Sequence, residues 1–320
     1  MKTRISVSTF ALAVLLGVLI AAPHTHGRDR TITAVGRSSK PSSKVLIRSR
    51  FVPGRVMRYN LKLSGTVAWA PHEKGLGWGK MDTDFTFDLA TKVIRESGAC
   101  TFHLAGQKIK SSVTGPKGRL GIIADRKKSK IRINDEWQSP SNKTPLTKEM
   151  TLTQGPLGGV RFTTGTAPIA LYLLPHVDLR FWALLTVAPP AKVAPGDEWS
   201  ETFKLRVPGS RGRRPLKLTG RWKVVGYQQH RGRKVIALAL AVKMDLKNSN
   251  VMLKNGDLVY VHSGSYVAAG KAMWDVSRGV LCYATADQKI LIRADKPKIR
   301  ALSSVHKCTL ELKAFKEGTP

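Results

Sequence analysis

Val52-Pro53-Gly54-Arg55-Val56-Met57-Arg58-Tyr59-Asn60-Leu61-Lys62-Leu63 joins a Pro-Gly turn to a run in which apolar and polar residues alternate. A period of two places Tyr59, Leu61 and Leu63 on one face and Arg58, Asn60 and Lys62 on the other, as in a strand with one buried side. The same device returns later in the chain. Ala194-Pro195-Gly196-Asp197-Glu198-Trp199, followed by Phe203-Lys204-Leu205, lines up without gaps on residues 52–57 and 61–63. Each copy then continues into a strand, a glycine-containing turn and a second strand, around Gly98 in the first case and Gly232 in the second. This spacing predicts a mainly β protein of two related antiparallel halves, curved sheets or incomplete barrels.

Working outward, further alternating runs occur at Asp84-Phe85-Thr86-Phe87-Asp88-Leu89, at Leu216-Lys217-Leu218-Thr219 and at Cys308-Thr309-Leu310-Glu311-Leu312. Val235-Ile236-Ala237-Leu238-Ala239-Leu240-Ala241-Val242 is apolar on both faces and predicts a central strand covered on both sides. One segment breaks the pattern. Ile169-Ala170-Leu171-Tyr172-Leu173-Leu174 and Leu179-Arg180-Phe181-Trp182-Ala183-Leu184-Leu185 lack period-2 alternation and flank Pro175, which predicts two short helices. The expected division is an N-terminal β half over residues 45–166, a helical, Pro-rich connector over 167–192, a C-terminal β half over 193–315 and a short tail over 316–320.

The first residues have another character. Lys2 and Arg4 precede an uncharged apolar run ending in small residues near Ala22, the layout of a secretory signal peptide. Cleavage after Gly27 is preferred to cleavage after Ala22, where Pro23 would follow; an uncleaved anchor is the competing reading. No Cys follows the run to accept a lipid, so the mature chain is expected to be free or peripherally held, without a transmembrane segment. Residues 28–44, rich in Arg, Ser, Thr and Lys, read as a disordered basic linker. Export would place the protein in a periplasm or outside the cell.

Of 320 residues, 54 are Lys or Arg and 21 are Asp or Glu, a formal charge of +33 that draws anionic partners. Outside the cytoplasm those are envelope polymers and lipid head groups, whereas export makes nucleic acid a poor partner. From residue 202 to 244 there is no acid, and the cations Arg211, Arg213, Arg214, Lys217, Arg221, Lys223, Arg231, Arg233 and Lys234 form the candidate anion-binding set, with Lys243 beyond. The competing reading takes them as ordinary solvated side chains. A second basic run, Arg126-Lys127-Lys128-Ser129-Lys130-Ile131-Arg132, reads as a loop entering a strand.

Val193-Ala194-Pro195-Gly196-Asp197-Glu198-Trp199, preceded by the Leu/Pro-rich connector, and the later Trp274-Asp275-Val276-Ser277-Arg278-Gly279 turn resemble a pattern in uncharacterised exported bacterial β-proteins. The resemblance implies no established activity and no site residues. On physical grounds the Gly-Asp and Asp-to-Gly stretches are turns, and Trp199 and Trp274 are anchors for core packing.

Catalytic constellations are thin. Asp82 and Asp84 share one strand face and Asp135-Glu136 precedes Trp137, so a carboxylate pair for polymer hydrolysis stays open as an alternative to solvated acids. The Gly-rich stretch Lys74-Gly75-Leu76-Gly77-Trp78-Gly79-Lys80 reads as a hairpin tip whose Trp78 could meet a sugar or lipid. Histidine and cysteine spacings match no metal site, and neither catalytic residues nor a cofactor are expected. Cys282 and Cys308 each share a face with apolar residues; a disulfide between them and two buried thiols are both open. The favoured reading is a non-enzymatic exported protein that binds an anionic envelope component. A lipid or acyl-chain carrier with a half-barrel cavity and an envelope-polymer hydrolase are the alternatives.

Overall fold

A computed structural model describes residues 31–35, 44–70, 77–115, 118–133, 136–138, 150–155, 158–164, 189, 191–205, 216–247, 249–252, 258–296 and 299–318. Among them there are strands and turns but no helix. The strands are β1 (Thr31–Val35), β2 (Val56–Ala70), β3 (Gly77–Ile94), β4 (Cys100–Gly115), β5 (Gly118–Asp125), β6 (Ser129–Ile133), β7 (Glu136–Gln138) and β8 (Met150–Gly155). They continue with β9 (Gly158–Thr164), β10 (Glu198–Leu205), β11 (Leu216–His230), β12 (Arg233–Asp245), β13 (Ser249–Met252), β14 (Leu258–Asp275), β15 (Val280–Lys296) and β16 (Ile299–Lys316). The predicted connector helices fall outside the described residues.

All sixteen strands belong to one antiparallel sheet, which does not close. Its main path runs β1-β10-β11-β12-β14-β15-β16-β2-β3-β4-β5-β6-β7, with β8 and β9 attached beside β4 and β13 beside β14. The last strand therefore lies at the centre: β16 pairs with β15 on one side and β2 on the other, which joins both halves of the chain in a single sheet.

The strands are longer than the alternating runs suggest, and several glycines lie inside them. A Cβ on Gly65 would stand 2.2 Å from the Val305 carbonyl oxygen, and one on Gly270 would stand 2.0 Å from that of Thr285. Here glycine permits close approach of neighbouring strands rather than ending one.

One face of the sheet is buried from β10 to β5. Trp199, Trp222, Leu240, Trp274, Ala284, Leu310, Tyr59, Phe85, Leu104 and Ile109 are among the side chains of this continuous core. Trp199 and Trp274 are buried in this core, as expected of packing anchors, and the indoles of Trp199 and Trp222 stack at 5.9 Å. Aromatic rings of β2 and β3 stack likewise, with Phe85 5.2 Å from Phe87 and Tyr59 5.9 Å from Phe87. The Tyr59 hydroxyl donates to the Leu281 carbonyl at 2.9 Å, reaching past β16 to β15. On β12 the expected burial of both faces holds only over Val235, Ile236, Ala237 and Leu238; beyond them Ala241 and Lys243 are exposed. The far part of β12 is therefore one-sided, and its outward positions carry the candidate site.

Residues 44–54 form a strap across one end of the sheet. Val45 and Val193 bond each other reciprocally at 2.8 Å, Ile47 is buried, and the Arg50 amide donates to Gly279 at 3.0 Å. Gln154 of β8 donates to Ser49, and Phe51 packs edge-on against Phe102 of β4. Arg55 then closes the strap: it donates to the Arg50 and Arg278 carbonyls, pairs with Glu317 at 3.1 Å and lies over the Phe315 ring.

The two Pro-Gly turns make matching bonds. Gly54 and Gly196 both have positive φ, and the amides of Arg55 and Asp197 donate to Val52 and Ala194. The carbonyls of the same two residues accept from Thr91 in β3 and Val224 in β11.

Candidate anion-binding surface

Strand alternation sorts the basic residues of β11. Leu218, Trp222 and Val224 point into the core, so Lys217, Arg221 and Lys223 are exposed on the outer face. The register with β12 sets Thr219 opposite Lys243 and Arg221 opposite Ala241. The small Ala241 leaves a gap beside the long arginine. The result is a shallow hollow of about 550 Å³ lined by Lys217, Thr219, Arg221, Ala241, Val242, Lys243 and Asp245.

Among the described residues no ion pair is formed by Lys217, Arg221 or Lys243. The one acid at the rim, Asp245, accepts from the Lys247 amide at 2.8 Å and so serves its own turn. Residues two apart on a strand are about 7 Å apart, and their cross-strand neighbours are nearer. Lys217 and Arg221 stand four residues apart, about 13 Å along β11, with Lys243 opposite the residue between them, so the hollow presents three cations and the Asp245 carboxylate to an extended anionic ligand, and charge-assisted bonds to anionic groups are the strong ones.

The remaining predicted site residues are placed differently. Lys223 pairs with Glu198 at 2.7 Å across β10 and β11. At the other end of the hairpin Arg231 pairs with Glu311 and donates to the Leu312 carbonyl, and Arg233 lies 3.6 Å from the buried Asp275 carboxylate. Lys234 sits 4.6 Å over the Tyr227 ring. Arg231 and Arg233 bind the hairpin tip to Glu311 of β16 and Asp275 of β14, while Lys234 packs within the hairpin itself. Arg211, Arg213 and Arg214 lie outside the described residues. The predicted set therefore divides, and Lys243 joins Lys217 and Arg221 as a member of the groove.

Asp82 and Asp84 are solvent-exposed on the outer face of β3. Asp84 accepts from Asn60 at 2.5 Å and lies 3.9 Å from Lys62, while Asp82 lies 3.9 Å from Lys80. Asp135 and the Trp78 side chain are outside the description. The second basic run forms the β5–β6 turn, where the Lys127 and Lys128 amides both donate to Asp125 at 2.7 Å. Those bonds hold the Asp125 carboxyl below its usual range.

The three cysteines are free and buried. β15 and β16 are neighbours, yet Cys308 faces Ala286 while Tyr283 faces Glu311. Cys282 is thus offset by about four residues, some 13 Å along the strand. A disulfide needs Cα atoms within about 7 Å, so this pair is not bonded. Burial pushes the Cys100 and Cys308 thiols up to about 12, and burial together with nearby Asp275 raises Cys282. Burial raises the Tyr59 hydroxyl as well and lowers His306 to about 4.

No known protein family and no curated protein matches this chain. Among solved structures it is similar to one described as "lipid-protein interactions in lipovitellin", at 12% identity and a TM-score of 0.42. The match covers 85% of this chain but 26% of that one, so the chain spans about a quarter of that protein's length. An overlap this loose assigns neither fold nor ligand.

Proposed function

We propose that this chain is an exported, non-enzymatic β-protein that binds an anionic component of the cell envelope through the outer groove of β11 and β12. The observation that carries this reading is the division of the basic set: Arg231, Arg233 and Lys234 are committed to internal partners, whereas Lys217, Arg221 and Lys243 surround a hollow and have none among the described residues. The signal-like residues before 28 support export, and the +33 charge supports long-range attraction of an anion. The two matched turn networks support a duplicated β half, with the connector between the copies. The test is retention on sulfated dextran in a salt gradient. Lys217→Gln/Arg221→Gln/Lys243→Gln is expected to elute at clearly lower salt than Lys62→Gln/Lys110→Gln/Lys307→Gln, which has the same net charge. Equal elution of the two variants would sink the proposal.

The carrier is a second reading, supported by buried donors that have no partner among the described residues: Trp199, Trp222 and Trp274 Nε1 and Gln288 Nε2, on β10, β11, β14 and β15. Each unmet buried donor costs about 1–3 kcal/mol, and ligand oxygen atoms would relieve that cost. Against it, inward residues such as Ala284 and Ala286 are no more than 1% exposed, so side chains already fill the hollow there. Native mass spectrometry of purified protein without a co-purifying lipid would remove this reading. The hydrolase alternative is left with Asp82 and Asp84, each beside a lysine and open to solvent.

A further inference from the structure

From the groove the outer face continues into an alternation of cations and apolar side chains. Lys243 on β12 stands opposite Val267 on β14, Val267 opposite Lys289 on β15, and Lys289 opposite Val305 on β16. Leu291 lies one outward position along β15, diagonal to both valines. Val267, Leu291 and Val305 are 39%, 39% and 48% exposed and cluster around Lys289 across three strands, whereas other exposed apolar side chains of the sheet, Ile123 and Val225 among them, lie elsewhere. Lys289 forms no ion pair among the described residues.

We propose that this strip, continuous with the groove, is where the protein docks on the surface of an anionic lipid bilayer; the inference rests on the groove reading and names its partner. A soluble polyanion would be served by cations alone, and apolar groups between them add nothing to its binding. At a bilayer the lysines meet phosphate while the interleaved Val and Leu enter the region between head groups, where burying apolar area is favourable. A second copy of the chain is disfavoured as the occupant, because it would bring Lys243 and Lys289 against another strongly cationic surface.

The experiment compares wild type with Val267→Ser/Leu291→Ser/Val305→Ser, using co-sedimentation with phosphatidylglycerol vesicles and retention on sulfated dextran. Circular dichroism confirms that the variant is folded; these exposed positions carry little of the core. The expected result is at least a tenfold loss of vesicle binding with dextran retention unchanged. Equal vesicle binding by the two proteins overturns the inference and leaves the groove reading standing. Wild type that is retained on dextran but ignores the vesicles does the same. A serine variant that differs only in self-association assigns the strip to a second copy and also overturns it. Loss of the dextran difference between the groove variant and its charge-matched control removes the groove itself, a separate failure.

Discussion

His306 sits in β16 with 1% of its surface exposed, opposite Gln288 of β15. Burial lowers its imidazole from the usual 6.5 to about 4, so the folded chain keeps it neutral at pH values where the unfolded chain protonates it. The unfolded state binds more protons between those two values, and stability therefore falls as pH drops through that window. The difference corresponds to about 3 kcal/mol once the pH is below 4. Urea unfolding at pH 7 and pH 4.5 is expected to show a marked loss for the wild type and a smaller one for His306→Gln. Equal losses would assign the acid sensitivity to other groups. At this scale the sequence was informative wherever parity decides the matter: Leu218, Trp222 and Val224 alternate with Lys217, Arg221 and Lys223, and the outer face could be read from that alone. It was silent on Arg233 and Lys234, whose partners Asp275 and Tyr227 are set by hairpin and sheet register. The cysteines follow the same rule. Their inward direction was legible, while the four-residue offset between Cys282 and Cys308 depends on how β15 and β16 align.

The strap over residues 44–54 is held by contacts with several separate elements. It touches β4 through Phe51, β8 through Ser49 and the β14–β15 turn through Arg50. Ile47 is its buried anchor. Ile47→Ala should lower stability by about 2–4 kcal/mol, the usual cost of truncating a buried aliphatic side chain. Thermal or urea unfolding measures this, and a loss below about 1 kcal/mol would mean that the strap is peripheral to the fold. Its start near Val45 was visible as the end of the linker composition, and the Pro-Gly turns that follow were visible as a repeat. The full length of the strands was not, since it runs past the alternating residues and through Gly65 and Gly270, each of which admits a neighbouring strand. Composition reports that a side chain is missing; only the fold shows whether the vacancy serves a turn or a close approach.

For the whole molecule, the expectation of two halves becomes one open sheet because β16 inserts between β15 and β2. Pairing the last strand with one near the start is a long-range event, for which local alternation holds no signal. The excess of 54 basic over 21 acidic residues makes some attraction to any polyanion unavoidable. Bulk affinity therefore cannot distinguish a groove from a uniformly charged surface. Position can. Lysine acetylation, read residue by residue by mass spectrometry with and without a sulfated dextran oligomer, separates the two. The account predicts slower acetylation at Lys217 and Lys243, with Lys62, Lys110 and Lys307 modified at an unchanged rate. Equal protection of all five lysines, or protection that spares Lys217 and Lys243, would contradict it.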